Sequence, residues 1–268
     1  MKRTAQRLIL AFALVLLIAL AQSGCVNQMP ILVYDDSMTN FAQTALDNLM
    51  YSYTMTTGEE EFQEALTSRA WGLVVFDNPN MGISWNVLSL LEDYAANGGR
   101  LVASSWNVGN MPSHGLWAAL GYSYTSTYYN LNDVNRLSDI EPILDNPLVA
   151  PDLLISSVSD WYGTNGYPGS AIGDGIMIAS FNSSTAADQG AVFVANDGRT
   201  IFNAFLPSDA YDYFGSDGAI DSNRNGMADA MEWWLDEISY VSAQPGKNVK
   251  PSAVIPMGTS KGIIGNNR

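Results

Sequence analysis

Oxygen donors recur at alternate positions in one short stretch near the carboxyl end: Asp221, Asn223 and Asn225, followed by Asp229 and Glu232. Gly226 stands where a sharp turn is needed, and Met227 offers its carbonyl. A hard divalent cation takes six to eight oxygens, and alternate side chains of a tight loop point inward to supply them. Glu232, on the helix expected to follow, can close the shell with both its oxygens. The spacing predicts a calcium site formed by Asp221, Asn223, Asn225, Met227, Asp229 and Glu232. A second candidate chemistry is nucleophilic. Ser105 ends an apolar strand pattern, and the one histidine, His114, follows nine residues later. A serine nucleophile needs a base to take its proton, and the base needs an orienting acid, for which Asp35, Asp36 and Asp77 are placed just past strand ends. The Gly-x-Ser-x-Gly elbow is absent, and a lone histidine opening a helix serves equally as a cap.

The donor stretch matches the twelve-residue EF-hand pattern at positions 1, 3, 5, 6, 9 and 12. Position eight is Ala228, where paired EF-hands carry a larger aliphatic residue, and no second loop exists. It therefore resembles the lone structural calcium clips of secreted bacterial proteins, not a sensor pair. Elsewhere, Asn97-Gly98-Gly99, the run into Ser104, Ser105, Trp106 and Asn107, and the late hairpin from Ala191 to Asn203 resemble the class I glutamine amidotransferase-like fold. The similarity is to its trehalose-utilisation-type and secreted branches, and it spans Ile31 to Leu206. It implies a helix ending at Gly-Gly, a strand running into a sharp turn that bears the nucleophile, and a later Gly-Arg strand closing the domain. In that family the turn carries Cys. This chain has no Cys after Cys25, so a Cys-His-Glu glutaminase is excluded.

The elements that must position these residues alternate. Ile31 to Tyr34, Tyr51 to Thr56, Trp71 to Phe76, Arg100 to Ser104 and Tyr122 to Thr127 read as strands. Between them lie helical spacings at Phe41 to Leu49, at Glu59 to Ser68 with Thr57 as cap, at Trp85 to Ala95 and at Leu116 to Leu120. This predicts an α/β fold, a mainly parallel sheet with helices on both faces. Asp139 to Leu154, with three prolines, reads as loop with short helical turns, and Gly163 to Gly175 as Gly-rich loop. Ile176 to Phe181, Ala191 to Ala195 and Thr200 to Phe205 read as strands, the last two joined by the hairpin turn Asn196-Asp197-Gly198-Arg199. Met227 to Val241 is a final helix, with Trp233 and Trp234 expected against the sheet. The expected organisation is a signal over 1–25, a linker over 26–30, the α/β domain over 31–206, calcium loop and helix over 207–241, and a disordered tail over 242–268.

Lys2, Arg3 and Arg7 precede an apolar run from Leu8 to Leu20. That run is shorter than the roughly 20 residues of a membrane span and fits an export signal. Cleavage after Ala21 and lipidation of Cys25 at Gln22-Ser23-Gly24-Cys25 are competing readings, and both give an exported protein. The formal charge is −15, and removing those three cations takes it to −18. Such a surface repels phosphate backbones and anionic lipid, which excludes nucleic acid and leaves a lipid anchor at Cys25 as the membrane contact. Trp106, Trp117, Trp161, Tyr162, Tyr128 and Tyr129 would make a sugar-stacking platform, and Asn182 to Ser184 fits a glycosylation sequon. The sequence favours a non-catalytic exported binding or structural module of the cell envelope, with carbohydrate or an envelope protein as partner. A serine hydrolase using Ser105 and His114 is the alternative.

Overall fold

The computed structural model describes residues 29–127, 133–137, 142–149, 153–155, 166–209, 211–212, 218–219 and 221–252. The expected signal with Cys25, residues 253–268, and Tyr128, Tyr129, Trp161 and Tyr162 lie outside the described residues. Strands β1 (Ile31–Asp35), β2 (Tyr53–Thr56), β3 (Leu73–Asn78) and β4 (Arg100–Ser105) alternate with helices α1 (Phe41–Asn48), α2 (Glu59–Ser68) and α3 (Trp85–Ala96). Then come α4 (Gly115–Ala119), β5 (Tyr122–Tyr124), β6 (Val134–Arg136), β7 (Leu153–Ile155), β8 (Gly169–Ala171), β9 (Ile176–Phe181), β10 (Gly190–Ala195), β11 (Thr200–Asn203) and α5 (Asp229–Ala243).

The fold is α/β. Its sheet runs β2-β1-β3-β4-β11-β10-β9-β6-β7. The first five strands pair in parallel, and from β11 onward the pairing is antiparallel. Fully apolar runs in β1, β3 and β4 follow from helices covering both faces. Val33, Val75, Val102 and Ile201 face α1 and α5, against Ala45, Leu46, Trp233, Trp234 and Ile238. Leu32, Val74, Phe76, Leu101 and Phe202 face α2, α3 and α4, against Phe62, Leu66, Leu88, Leu91 and Trp117. Strand order reverses between β1 and β3. A ligand crevice of an open α/β sheet opens at such a switch point, past the strands' carboxyl ends.

Local chemistry sets most boundaries. Helix α3 stops at Asn97 because Gly98 takes φ 93, and the β10–β11 turn puts Asn196, Asp197 and Gly198 at φ 57, 56 and 80, as a tight hairpin requires. Three expectations need correction. Thr57 does not cap α2, whose N-cap is Gly58 without a side-chain bond; the acidic first turn of Glu59, Glu60 and Glu61 answers the helix dipole instead. Within the expected loop over Gly163 to Gly175, β8 pairs with β5, which ends at Tyr124. Residues 242–252 are no disordered tail: α5 continues to Ala243, Val249 pairs with Trp71 through both backbone bonds of 2.8 Å, and Ser252 N–H donates to Asp93.

Candidate functional site

Two polar layers crown the carboxyl ends of the parallel strands, one on each face of the sheet. On the α2–α3 face Asp36 accepts hydrogen bonds from Asn78 Nδ2 at 2.9 Å, Asn80 N at 3.1 Å, Met81 N at 2.7 Å and the Tyr34 hydroxyl at 3.1 Å. Burial still pushes its carboxyl upward. Asn78 Oδ1 accepts from Ser105 Oγ at 2.7 Å and from Asn107 Nδ2 at 2.7 Å, and Ser105 Oγ accepts from Asn107 N at 3.1 Å. The bonds strap the loop after β3 across the ends of β1 and β4. Both polar side-chain atoms of Asn78 have partners inside the strap.

Ser105 and His114 are not brought together as a pair. The Ser105 hydroxyl is committed to Asn78. His114 is the N-cap of α4: Nδ1 accepts from Leu116 N at 3.0 Å, which leaves the proton on Nε2, facing the Trp85 carbonyl and Ser89 Oγ, each at 3.3 Å. Burial lowers its pKa below the usual imidazole value. Trp85 meets that imidazole at a tilt of 53°, ring centres 4.3 Å apart, and is 50% exposed. Of the expected aromatic platform, Trp117 is packed in the core and donates to the Met111 carbonyl, while Trp106 is half-buried and donates to the Met81 carbonyl. Among the described residues Trp85, at the first position of α3, is the aromatic that is exposed.

On the other face, register aligns Asp35, Asp77, Ser104 and Asn203 across β1, β3, β4 and β11. Helix α5 covers this row. Glu237 Oε2 accepts from Asn203 Nδ2 at 2.8 Å, Trp233 Nε1 donates to Asn203 Oδ1 at 2.9 Å, and Ser208 Oγ donates to Asp77 and accepts from Trp234 Nε1. Three oxygens in this neighbourhood are buried without a hydrogen-bond partner: Asp35 Oδ2, Asp236 Oδ2 and Glu237 Oε1. Burial pushes Glu237 up to about 8 and Asp236 up to about 7, the latter against a bond from Leu148 N. Sequence reading missed these acids. Their signal was Glu237 four residues after Trp233, one carboxyl on the apolar stripe of a helix.

The donor loop folds inward at the start of α5. Asp221 accepts from Asn225 N at 3.1 Å and Gly226 N at 2.9 Å, Asp229 from Ser222 N at 2.9 Å, and Asn225 Oδ1 from Met227 N at 2.9 Å. Gly226 has φ 89, a conformation that suits glycine. Asn223 Nδ2 lies 3.0 Å from Glu232 Oε2, and Asn225 Nδ2 also donates to Glu232, which is fully buried. So Asn223 and Asn225 meet Glu232, while Asp221 and Asp229 accept backbone N–H groups of the same loop. Among the described residues no three His, Cys, Asp or Glu side chains are spaced to hold a metal by themselves, so a cation here needs the two asparagines too. The donor set fits a hard cation in kind: all are oxygen-bearing, and no Lys, Arg or His pairs with Asp221, Asp229 or Glu232 among the described residues. Desolvation, then the neighbouring Asp221, raises Asp229.

No family model matches the sequence, and no curated protein matches it. Among solved structures, PurLQS from Thermotoga maritima matches 80% of this chain and 99% of its own at 11% identity, with TM-score 0.42. SMU.1228c matches 67% of this chain and 77% of its own at 10% identity and TM-score 0.44. A beta-galactosidase from Rahnella sp. R3 matches 80% of this chain at 13% identity and TM-score 0.41, and the chain spans 30% of that enzyme.

Proposed function

We propose that this chain is an exported calcium-binding α/β module of the cell envelope, related to amidotransferase-like domains, that binds a partner and performs no catalysis. The observation that carries the reading is the loop from Asp221 to Glu232. Asn223 and Asn225 reach Glu232 there, Asp221 and Asp229 accept backbone N–H groups of the same loop, and among the described residues no Lys, Arg or His pairs with these three carboxylates. Asp221, Asn223, Asn225, Asp229, Glu232 and the Met227 carbonyl would hold the ion. Calcium there neutralises the carboxylates and fixes the start of a helix whose side chains cover the sheet. Against hydrolysis stand the separate commitments of Ser105 and His114. The relation to amidotransferase-like domains rests on the strand order and the Gly98-Gly99 helix stop ahead of β4. A glycan is the favoured partner, because Trp85 is half exposed beside His114, whose ring it meets at a tilt of 53°.

Thermal unfolding in calcium and in chelator tests the reading. A ligand at about 100 times its dissociation constant adds about 2.7 kcal/mol to the folded state. The transition should rise in calcium, and Asp221→Ala should remove the difference. Identical melts of the unaltered chain would sink the calcium site. Labelling by a fluorophosphonate probe that Ser105→Ala abolishes would sink the non-catalytic reading.

A further inference from the structure

The amino edge of the sheet, opposite the layers described above, holds an unusual gathering of positive charge. The chain has 27 acidic and 12 basic residues, and seven of the basic ones fall among the described residues. Three of those seven meet here. Arg100 opens β4, and Arg199 stands at the corresponding position ahead of β11, one residue before the registered pair Leu101–Thr200. Lys247 crosses above them, its backbone N–H donating to the Gly98 carbonyl. Like charges at matched positions of adjacent strands are destabilising unless something of opposite sign lies between them.

The protein supplies little. Arg100 is satisfied by neutral acceptors, the Gln244 carbonyl at 2.8 Å from Nε and the Gly72 carbonyl at 3.2 Å from Nη1. Arg199 has one acidic neighbour, Asp197, at 3.8 Å, whose side chain is 89% exposed; a pair of that length in solvent contributes little. Arg199 Nε is buried and has no acceptor. Lys247 makes no ion pair among the described residues. Between them lies a cleft of about 520 Å³ lined by Ala96, Asn97, Gly98, Arg199, Gly246 and Lys247. Arg100 packs behind Gly246, where a Cβ would come 2.9 Å from the guanidinium carbon. The carbonyl ends of α3 and α5 account for some attraction of cations to this edge, but carbonyl dipoles leave the Arg199 Nε–H unmet.

We propose that this cleft binds a small tetrahedral oxyanion, a free phosphate or sulfate group or a phosphomonoester, between Arg199 and Lys247. The part of the Arg199 guanidinium that reaches the cleft, its side chain 24% exposed, suits charge-assisted N–H to oxygen bonds, and Lys247 adds a point charge from the same lining. The overall charge of −15 repels anionic lipid surfaces, so the ligand is a small soluble anion. The site lies at the edge opposite Trp85 and is independent of the calcium loop.

Calorimetric titration of the full chain with sodium sulfate, in calcium buffer and against sodium chloride at equal ionic strength, tests the assignment. Sulfate should bind with saturable heat at one site and chloride should not. Arg199→Gln should weaken sulfate about tenfold or more, the effect of losing one charge-assisted pair. Lys247 is exposed, so Lys247→Gln leaves the fold intact and should weaken it as well. Equal heats from sulfate and chloride, or sulfate binding unchanged in both variants, would overturn the site.

Discussion

Two loops at element junctions, the strap over β1 and β4 and the loop before α5, use the same residue types to opposite ends. In the strap, one carboxylate, Asp36, meets four donors, and the amides and hydroxyl beside it meet one another. In the loop before α5, three carboxylates share backbone N–H groups and two asparagine amides. The strap is complete in itself, whereas the loop carries charge that its own atoms do not balance. The ratio of donors to carboxylates, more than the count of polar residues, is what separates the two loops.

The contrast can be broken from either side. Asn78→Ala removes a buried amide that joins Asp36 to Ser105 and Asn107; it should destabilise by about 3 kcal/mol, equally with calcium and with chelator. Chemical denaturation in both conditions measures this, and a calcium-dependent loss would erase the distinction. Glu232→Gln should do the reverse, removing nearly all of the calcium increment of about 2.7 kcal/mol while changing the chelated protein little. Glu237 separates a third behaviour. Its pKa is raised to about 8 by burial, so the folded state holds a proton that the unfolded chain releases near pH 4.5. Stability from this group is full below that point and falls by about 1.4 kcal/mol per pH unit until the folded pKa is passed. Between pH 5 and about 8 the melting temperature should therefore decline, and Glu237→Gln, which mimics the protonated acid toward Asn203, should flatten the decline. An unchanged slope would show that Glu237 is not the proton's site. Smallest of all, Ser105→Ala should cost about 1 kcal/mol with no pH or calcium dependence.

Much of the architecture was legible in the chain. The runs at Ile31, Leu73 and Arg100 could only be strands covered on both faces, and Gly98 and the Asn196-Asp197-Gly198 turn fixed two boundaries through conformations that few residues adopt. The strands on either side of 166 were less so: β6, β7 and β8 have three residues each, too few for a period to register. The site was legible where spacing is local. The donor loop is set by positions within twelve residues of one another. The row Asp35, Asp77, Ser104, Asn203 and its cover Glu237 spans two hundred residues and exists only through sheet register. Ser105 and His114 show the opposite error. Nearness in sequence suggested a pair, but a hydroxyl beside an amide and a ring beside a free helix N–H take the nearest partner.

The pairing of Val249 with Trp71 has a consequence for how the molecule is displayed. It carries the chain back to the edge where it began: a Cβ on Gly72 would collide with both Met29 and the Asn248 amide, so residues 29 and 248 flank the same glycine. Whatever is joined before the first strand or after the last helix therefore departs from one pole. Trp85 and the Asp36 strap lie at the opposite pole. A short bridge joining residue 29 to residue 248 would therefore close the chain into a ring at that edge, leaving the pole with Trp85 untouched.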